Sequence, residues 1–120
     1  MRRSREQAEK RGRRGEMLAA LLLRCKGYRI LARRVRTHVG EIDLIAKSPS
    51  GIVCFIEVKA RPGMGQAAQS VGLPQRARIV RASQAWLAGR PVKGVRFDVM
   101  TVMPGRIPRH LRDAWRADDL

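Results

Sequence analysis

The stretch that most constrains this chain is residues 40–61, G-E-I-D-L-I-A-K-S-P-S-G-I-V-C-F-I-E-V-K-A-R. Apolar residues alternate on both sides of a Ser/Pro/Gly turn and are rich in β-branched types, which predicts two antiparallel strands joined as a hairpin. Successive side chains of a strand point to opposite faces. Ile42, Leu44 and Ala46 are therefore expected on one side, with Glu41, Asp43 and Ile45 on the other. On the second strand Ile52, Cys54, Ile56 and Val58 share a face, opposite Val53, Phe55, Glu57 and Lys59. With Ala46 facing Ile52, Asp43 falls on the face of Glu57 and Lys59, diagonal to Glu57 at roughly 7–8 Å; a turn one step longer sets the two carboxylates directly opposite. A stable strand pair has no need of Asp, Glu and Lys clustered beside Val53 and Phe55. Such a conflict between local chemistry and a half-buried position is where function is expected.

Charge narrows the class of partner. The chain carries 26 Lys and Arg against 10 Asp and Glu, a formal charge of +16 on 120 residues, which makes a polyanion the default partner, nucleic acid ahead of an anionic membrane. Hydrophobic residues at 44% fit a folded chain with one core, and aromatics at 4% make that core aliphatic. The apolar run at 17–23 is far shorter than the roughly 20 residues of a membrane span. Glu16 and Arg24 bracket it and no small-x-small cleavage site follows, so the expected location is the cytoplasm. Cys25 and Cys54 read as small buried hydrophobes in a reducing compartment. Together with His38 and His110 they lack paired metal-ligand spacing, so structural zinc is not expected.

Around the hairpin the chain divides into three parts: a basic arm or frayed helix start over 1–11, a folded body over 12–103, and a tail over 104–120. Leu18, Leu21, Leu22 and Cys25 recur at helical spacing and Gly27 supplies a stop. On the same helix Gly12, Glu16, Ala20 and Leu23 form a stripe in which small residues flank a glutamate, so that carboxylate can lie against a neighbouring element. A strand is expected over 28–35, with Arg33, Arg34 and Arg36 near its end. These arginines either guard a sheet edge or hold a phosphate backbone. After Arg61 a Pro/Gly segment and a short helical piece over 66–71 are expected.

Pro74 opens a second helix, with Ile79, Ser83, Trp86 and Leu87 on one side and Arg76, Arg78 and Arg81 towards solvent. A last strand over 95–103 is expected to bury Val95, Phe97, Val99 and Thr101, with Arg96 and Asp98 on its other face. The tail is read as helical over 111–117, with Trp115 available to dock. The order α-β-β-β-α-β makes an α/β mixed sheet flanked by helices the natural architecture.

Glu16, Asp43 and Glu57 offer hard oxygen ligands for Mg²⁺, with Mn²⁺ expected to substitute. A divalent cation so held can activate water and offset charge on an attacked phosphate. Lys59, one strand step from Glu57, is placed to orient or deprotonate that water or to stabilise developing negative charge. A phosphodiester, in DNA first of all, accounts for both the acids and the basicity.

Gly15-Glu16, G-E-I-D-L-I at 40–45, F-I-E-V-K-A-R at 55–61 and R-F-D-V at 96–99 together resemble the YraN-type family of bacterial endonuclease-like proteins. That family is similar to archaeal Holliday-junction resolvases and has the restriction-endonuclease-like, PD-(D/E)xK fold. The resemblance spans roughly residues 12–103. It implies that Glu16 is the helix-borne acid, Asp43 the central metal ligand, Glu57 the second strand ligand and Lys59 the motif lysine. Glu41 lies outside the core nuclease pattern, where it could support the ligands from behind or cap the strand. Gln66 resembles the glutamine often found after the catalytic strand.

The chain departs from the family in having Gln75 where a lysine usually opens the second helix, and Arg34 where asparagine often precedes the first arginine of the turn. The implied activity is a metal-dependent nuclease on branched or junction DNA, with Arg33, Arg34, Arg36, Arg61, Arg76, Arg78 and Arg81 holding the backbone and a homodimer needed for paired cuts. The alternatives are a non-catalytic nucleic-acid-binding protein that keeps the nuclease fold, and a basic scaffold that binds RNA or protein.

Overall fold

A computed structural model describes residues 2–59 and 71–119. Helix α1 (Arg2–Cys25) is followed by strands β1 (Arg29–Thr37), β2 (Gly40–Lys47) and β3 (Val53–Lys59), helix α2 (Leu73–Leu87), and strands β4 (Val95–Thr101) and β5 (Arg109–Trp115). Among the described residues the strands form one mixed sheet in the order β1-β2-β3-β4-β5, with β3 and β4 parallel and the other neighbours antiparallel. The expected α/β architecture, a mixed sheet flanked by helices, is the one observed, extended by a fifth strand. None of the described helices is long and apolar enough to cross a membrane.

The alternation of β3 sorts the core into two layers. Val53 and Phe55 join Ile45, Phe97 and Val99 beneath Ile79, Val80 and Ala82 of α2. Cys54 and Ile56 join Leu44, Ala46 and Met100 beneath Ala19, Ala20 and Leu23 of α1. Each helix thus covers one face of the sheet. At about 25 cal/mol per Å² of apolar surface removed from water, this burial is what holds the layers together.

Helix α1 buries the stripe of small residues together with Leu23, half-buries Leu22, and turns Leu18 and Leu21 outward. Gly15, Ala19, Ala20 and Leu23 are buried, whereas Met17, Leu18, Leu21 and Cys25 are exposed. The expectation of a buried Cys25 therefore fails, while Cys54 is fully buried as expected. The small side chains let the helix backbone sit close to the sheet, which the bulkier leucine stripe would prevent. Gly27 closes the helix at φ +87: its N–H donates to the Arg24 carbonyl and the next N–H, of Tyr28, reaches the Leu23 carbonyl. This paired arrangement needs the left-handed conformation that glycine adopts without cost.

In the hairpin Ala46 pairs with Cys54, not with Ile52, and Leu44 pairs with Ile56. The turn is longer than the first registration assumed, so Asp43 comes to the level of Glu57. Ile42 also departs from expectation, packing in the cluster under α2 with Ile45 instead of with Leu44. The regular pairing ends at Leu44 and Ile56, and just beyond it the N–H of Val58 donates to the Asp43 carboxylate at 2.8 Å. A side chain takes the place of a backbone acceptor there, and the pleat that fixed the alternation is lost.

The tail is a strand, β5, where a helix was expected over 111–117, and a single 3₁₀ turn follows at Ala117–Asp119. The outer edge of β4 would otherwise present unpaired backbone groups, and β5 satisfies them. Trp115 does dock, stacked on Phe97 with ring centroids 5.9 Å apart. Strand β4 ends at Thr101, and Val95 at its start is exposed instead of buried because it lies beyond the edge of the core.

Candidate active site

The cavity that matters is about 260 Å³, open to solvent, and lined by Gly40, Glu41, Asp43, Glu57, Gln75, Arg78 and Ile79. Strands β2 and β3 supply its floor and the first turns of α2 its wall. Asp43 and Glu57 reach it from neighbouring strands, as their shared face predicts. Lys59 Nζ lies 3.5 Å from Glu57 Oε1, and both side chains are largely buried.

Gln75, at the start of α2, ties these groups together: its Nε2 donates to Glu57 Oε1 at 2.9 Å, and its Oε1 accepts from Lys59 Nζ at 3.3 Å. A neutral amide can do both because it carries a donor and an acceptor, which a lysine does not. This bridging role was not foreseen from the sequence. Its one signal was the departure at the position opening the second helix.

Electrostatically the pair is frustrated. Burial pushes the Glu57 carboxyl up to about 7, the Asp43 charge adds to it, and Lys59 opposes both. The Asp43 carboxyl is likewise held above its ordinary value by burial. The Val58 N–H works against that shift and the Glu16 charge works with it. The interaction between the two carboxyl groups works to lower Asp43 and to raise Glu57. Two carboxyl groups facing one cavity are thus both held above their ordinary values.

Glu16 stands apart from this pair. Its Oε2 accepts from Arg34 Nε at 2.7 Å. Among the described residues no three of His, Cys, Asp and Glu come together as a ligand group. Asp43 and Glu57 are thus brought together while Glu16 is near enough for its charge to act on Asp43 but is held by an arginine of β1. Glu41 is exposed at the cavity edge and paired with Arg36 at 3.0 Å. Gln66 and Arg61 lie outside the described residues.

The remaining basic positions divide. Arg33, Arg36, Arg78 and Arg81 are exposed, and Arg78 borders the cavity. Arg76 is half-buried, contrary to the solvated placement expected for it; its Nε donates to the Val71 carbonyl and its guanidinium lies 5.4 Å from the Trp115 ring centroid.

A second polar cluster, on the α1 face, was not legible as a site. Asp98 is fully buried. Its carboxylate accepts from Arg96 at both oxygens at 2.8 Å, from the Asp113 N–H at 3.0 Å, and pairs with His110 Nε2 at 2.7 Å. Arg96 also donates to the Tyr28 hydroxyl. Burial works to raise the Asp98 carboxyl, but these donors outweigh it and hold the group below its ordinary value. Asp113 adopts a left-handed backbone at φ +55 where the β4–β5 register shifts, turning its N–H onto Asp98. The R-F-D-V segment thus fastens β5 to the sheet.

The model of the uncharacterised protein family UPF0102 matches residues 15–102. This span contains α1 from Gly15 onward, the hairpin, α2 and β4. Over 97% of its length the chain is 47% identical to UPF0102 protein amb4503 of Paramagnetospirillum magneticum, covering 95% of that protein. It is 48% identical to UPF0102 protein Mmar10_3014 of Maricaulis maris over 99% of its length, again covering 95% of the relative. A third relative, UPF0102 protein BRADO0179 of a Bradyrhizobium species, is 50% identical over 85% of the chain and 74% of its own length. A family match across Glu16, Asp43, Glu57, Lys59 and Asp98, joined to near full-length identity with these proteins, makes this chain a member of UPF0102, the YraN family.

Proposed function

We propose that the protein is a Mg²⁺-dependent nuclease that hydrolyses phosphodiester bonds in DNA, with branched or junction DNA as its favoured substrate. The observation that carries this reading is the pair Asp43 and Glu57, a half-buried and a buried carboxyl group on one cavity with Lys59 beside them. Their oxygens fit a hard divalent cation: burial and mutual repulsion hold both carboxyls above their ordinary values, and a cation would relieve both. Mg²⁺ bound there would offset charge on the attacked phosphate and sharpen the nucleophilicity of water.

The chain's own groups supply the rest. Lys59 Nζ, beside Glu57, would stabilise the negative charge that develops on phosphate oxygen. Gln75 keeps Lys59 Nζ and Glu57 Oε1 aligned. Arg78 at the cavity border and the exposed Arg33, Arg36 and Arg81 bind the substrate backbone. Hydrolysis adds water across one P–O bond and leaves a phosphate monoester and a hydroxyl. Paired cuts across a junction require two copies of the site, hence a homodimer on that substrate.

Cleavage of duplex, flap, single-stranded and four-way-junction DNA with Mg²⁺ or Mn²⁺ tests the proposal. Asp43→Ala and Lys59→Ala should each lower the rate by about 10²–10⁴-fold. Equal rates for wild type and variants would remove the assignment. The pairing of Glu16 with Arg34 favours a second reading, a non-catalytic nucleic-acid-binding protein that retains the fold. That reading predicts salt-sensitive binding and no cleavage of any member of the panel.

A further inference from the structure

Arg34 combines three properties that the cleavage reading does not use. Its backbone is left-handed within a strand, at φ +48, a conformation that strains a side chain other than glycine. Its Nε is committed to Glu16 Oε2 at 2.7 Å. The arginine side chain is 41% exposed whereas the glutamate is 16% exposed, so an anion arriving from solvent meets the guanidinium before it meets the acid. A guanidinium prefers phosphate geometry at least as well as carboxylate, and its five donors exceed what one carboxylate takes at Nε.

From this geometry we infer that Arg34 is a latch that keeps Glu16 away from the Asp43–Glu57 cavity until a backbone phosphate of the substrate takes the guanidinium. The inference builds on the nuclease reading and adds how its third acid is regulated. With Arg34 on phosphate, Glu16 turns to the cavity and joins Asp43 and Glu57, while Glu41 stays at the rim on Arg36. Glu16 is already close enough that its charge raises the Asp43 carboxyl. Metal and substrate binding are then coupled. By linkage the coupling is reciprocal, so substrate tightens metal by the factor by which metal tightens substrate. Arg34 is a positioning residue in this scheme, acting through Glu16.

A double-mutant cycle on Mn²⁺ affinity reads the latch without any turnover. Mn²⁺ is titrated, with free Mn²⁺ followed by electron paramagnetic resonance, into wild type, Arg34→Asn, Glu16→Gln and the double variant. Asparagine tolerates the left-handed backbone, and circular-dichroism melting confirms that each variant is folded. Arg34→Asn should bind Mn²⁺ about 5–10-fold more tightly than wild type. Glu16→Gln alone should change little, and the double variant should lose the gain. If the gain persists in the double variant, Arg34 acts only as a repelling charge and the latch is wrong.

On a short phosphorothioate duplex, chosen to resist hydrolysis, Mn²⁺ should tighten DNA binding by wild type but not by Arg34→Asn. Asp43→Asn separates the two levels. If it abolishes Mn²⁺ binding while Arg34→Asn leaves both Mn²⁺ affinity and its coupling to DNA unchanged, the latch falls and the site stands. If Asp43→Asn leaves Mn²⁺ binding intact, both fall.

Discussion

Two clusters of this protein each bury a carboxylate beside cations, one on either face of the sheet, and their electrostatics run in opposite directions. Asp98 is surrounded by Arg96, His110 and the Asp113 N–H, and its carboxyl is held low. Asp43 and Glu57 face each other with Lys59 and Gln75 as their polar company, and both carboxyls are held high. A buried charge whose acceptor sites are filled by donors is a fastening, and here it secures β5. A pair of carboxyls that repel each other and are both held high leaves a demand for positive charge unmet. The difference between structure and function therefore lies in how completely the surroundings answer the carboxylate, not in burial.

The sharpest way to break this comparison is Asp98→Ala. It strands Arg96 and removes the acceptor that holds the Asp113 turn, so urea unfolding should show a loss of about 3–5 kcal/mol. A loss below about 1 kcal/mol would mean that the cluster is not a fastening.

Next in size is Glu57→Gln, which should stabilise the metal-free protein. The sign follows from the raised carboxyl: its stabilising share is complete below the ordinary value of 4.5 and is lost as pH rises through about 7. At pH 8 the variant should be more stable by up to about 3 kcal/mol, and near pH 4 the gain should vanish. Asp98, held low, contributes in the opposite sense, its share being lost on acidification below the ordinary carboxylate range. Equal effects of the Glu57 change at pH 4 and pH 8 would show that the pair is not frustrated.

The smallest effect expected is that of Gln75→Leu. Losing the amide should cost about 1 kcal/mol and, because its N–H favours the charged form of Glu57, should move the Glu57 midpoint above 7 in a carbon-detected carboxyl titration. An unmoved midpoint would remove Gln75 from the site.

Much of this was legible in advance because strand periodicity is a strong signal. The β3 alternation placed Glu57 and Lys59 on the face of Phe55, and that face is the one under α2. The small-residue stripe on α1 was legible as a line holding Glu16, and it is the buried line. What could not be read were features that depend on distant partners. Cys25 follows the leucines in sequence, but close helix-to-sheet approach selects the alanines, so Leu18, Leu21 and Cys25 turn outward while Leu22 is half-buried against the core. The last strand depends on an edge of β4 that exists only once the sheet is assembled, and its anchoring bonds link Asp98 to residues 12 and 15 positions away. Ile42 escaped the alternation because a side-chain acceptor interrupts the ladder beside it.

That interruption makes the molecule its own indicator. The Val58 N–H donates to a carboxylate oxygen of Asp43, not to a strand carbonyl, so its amide resonance follows the charge on that oxygen. Any event that changes ionisation in the cavity, whether proton loss, cation arrival or the approach of a third acid, is written onto one backbone nitrogen. A single cross-peak in a ¹⁵N spectrum can therefore act as a meter of the site in the unmodified protein.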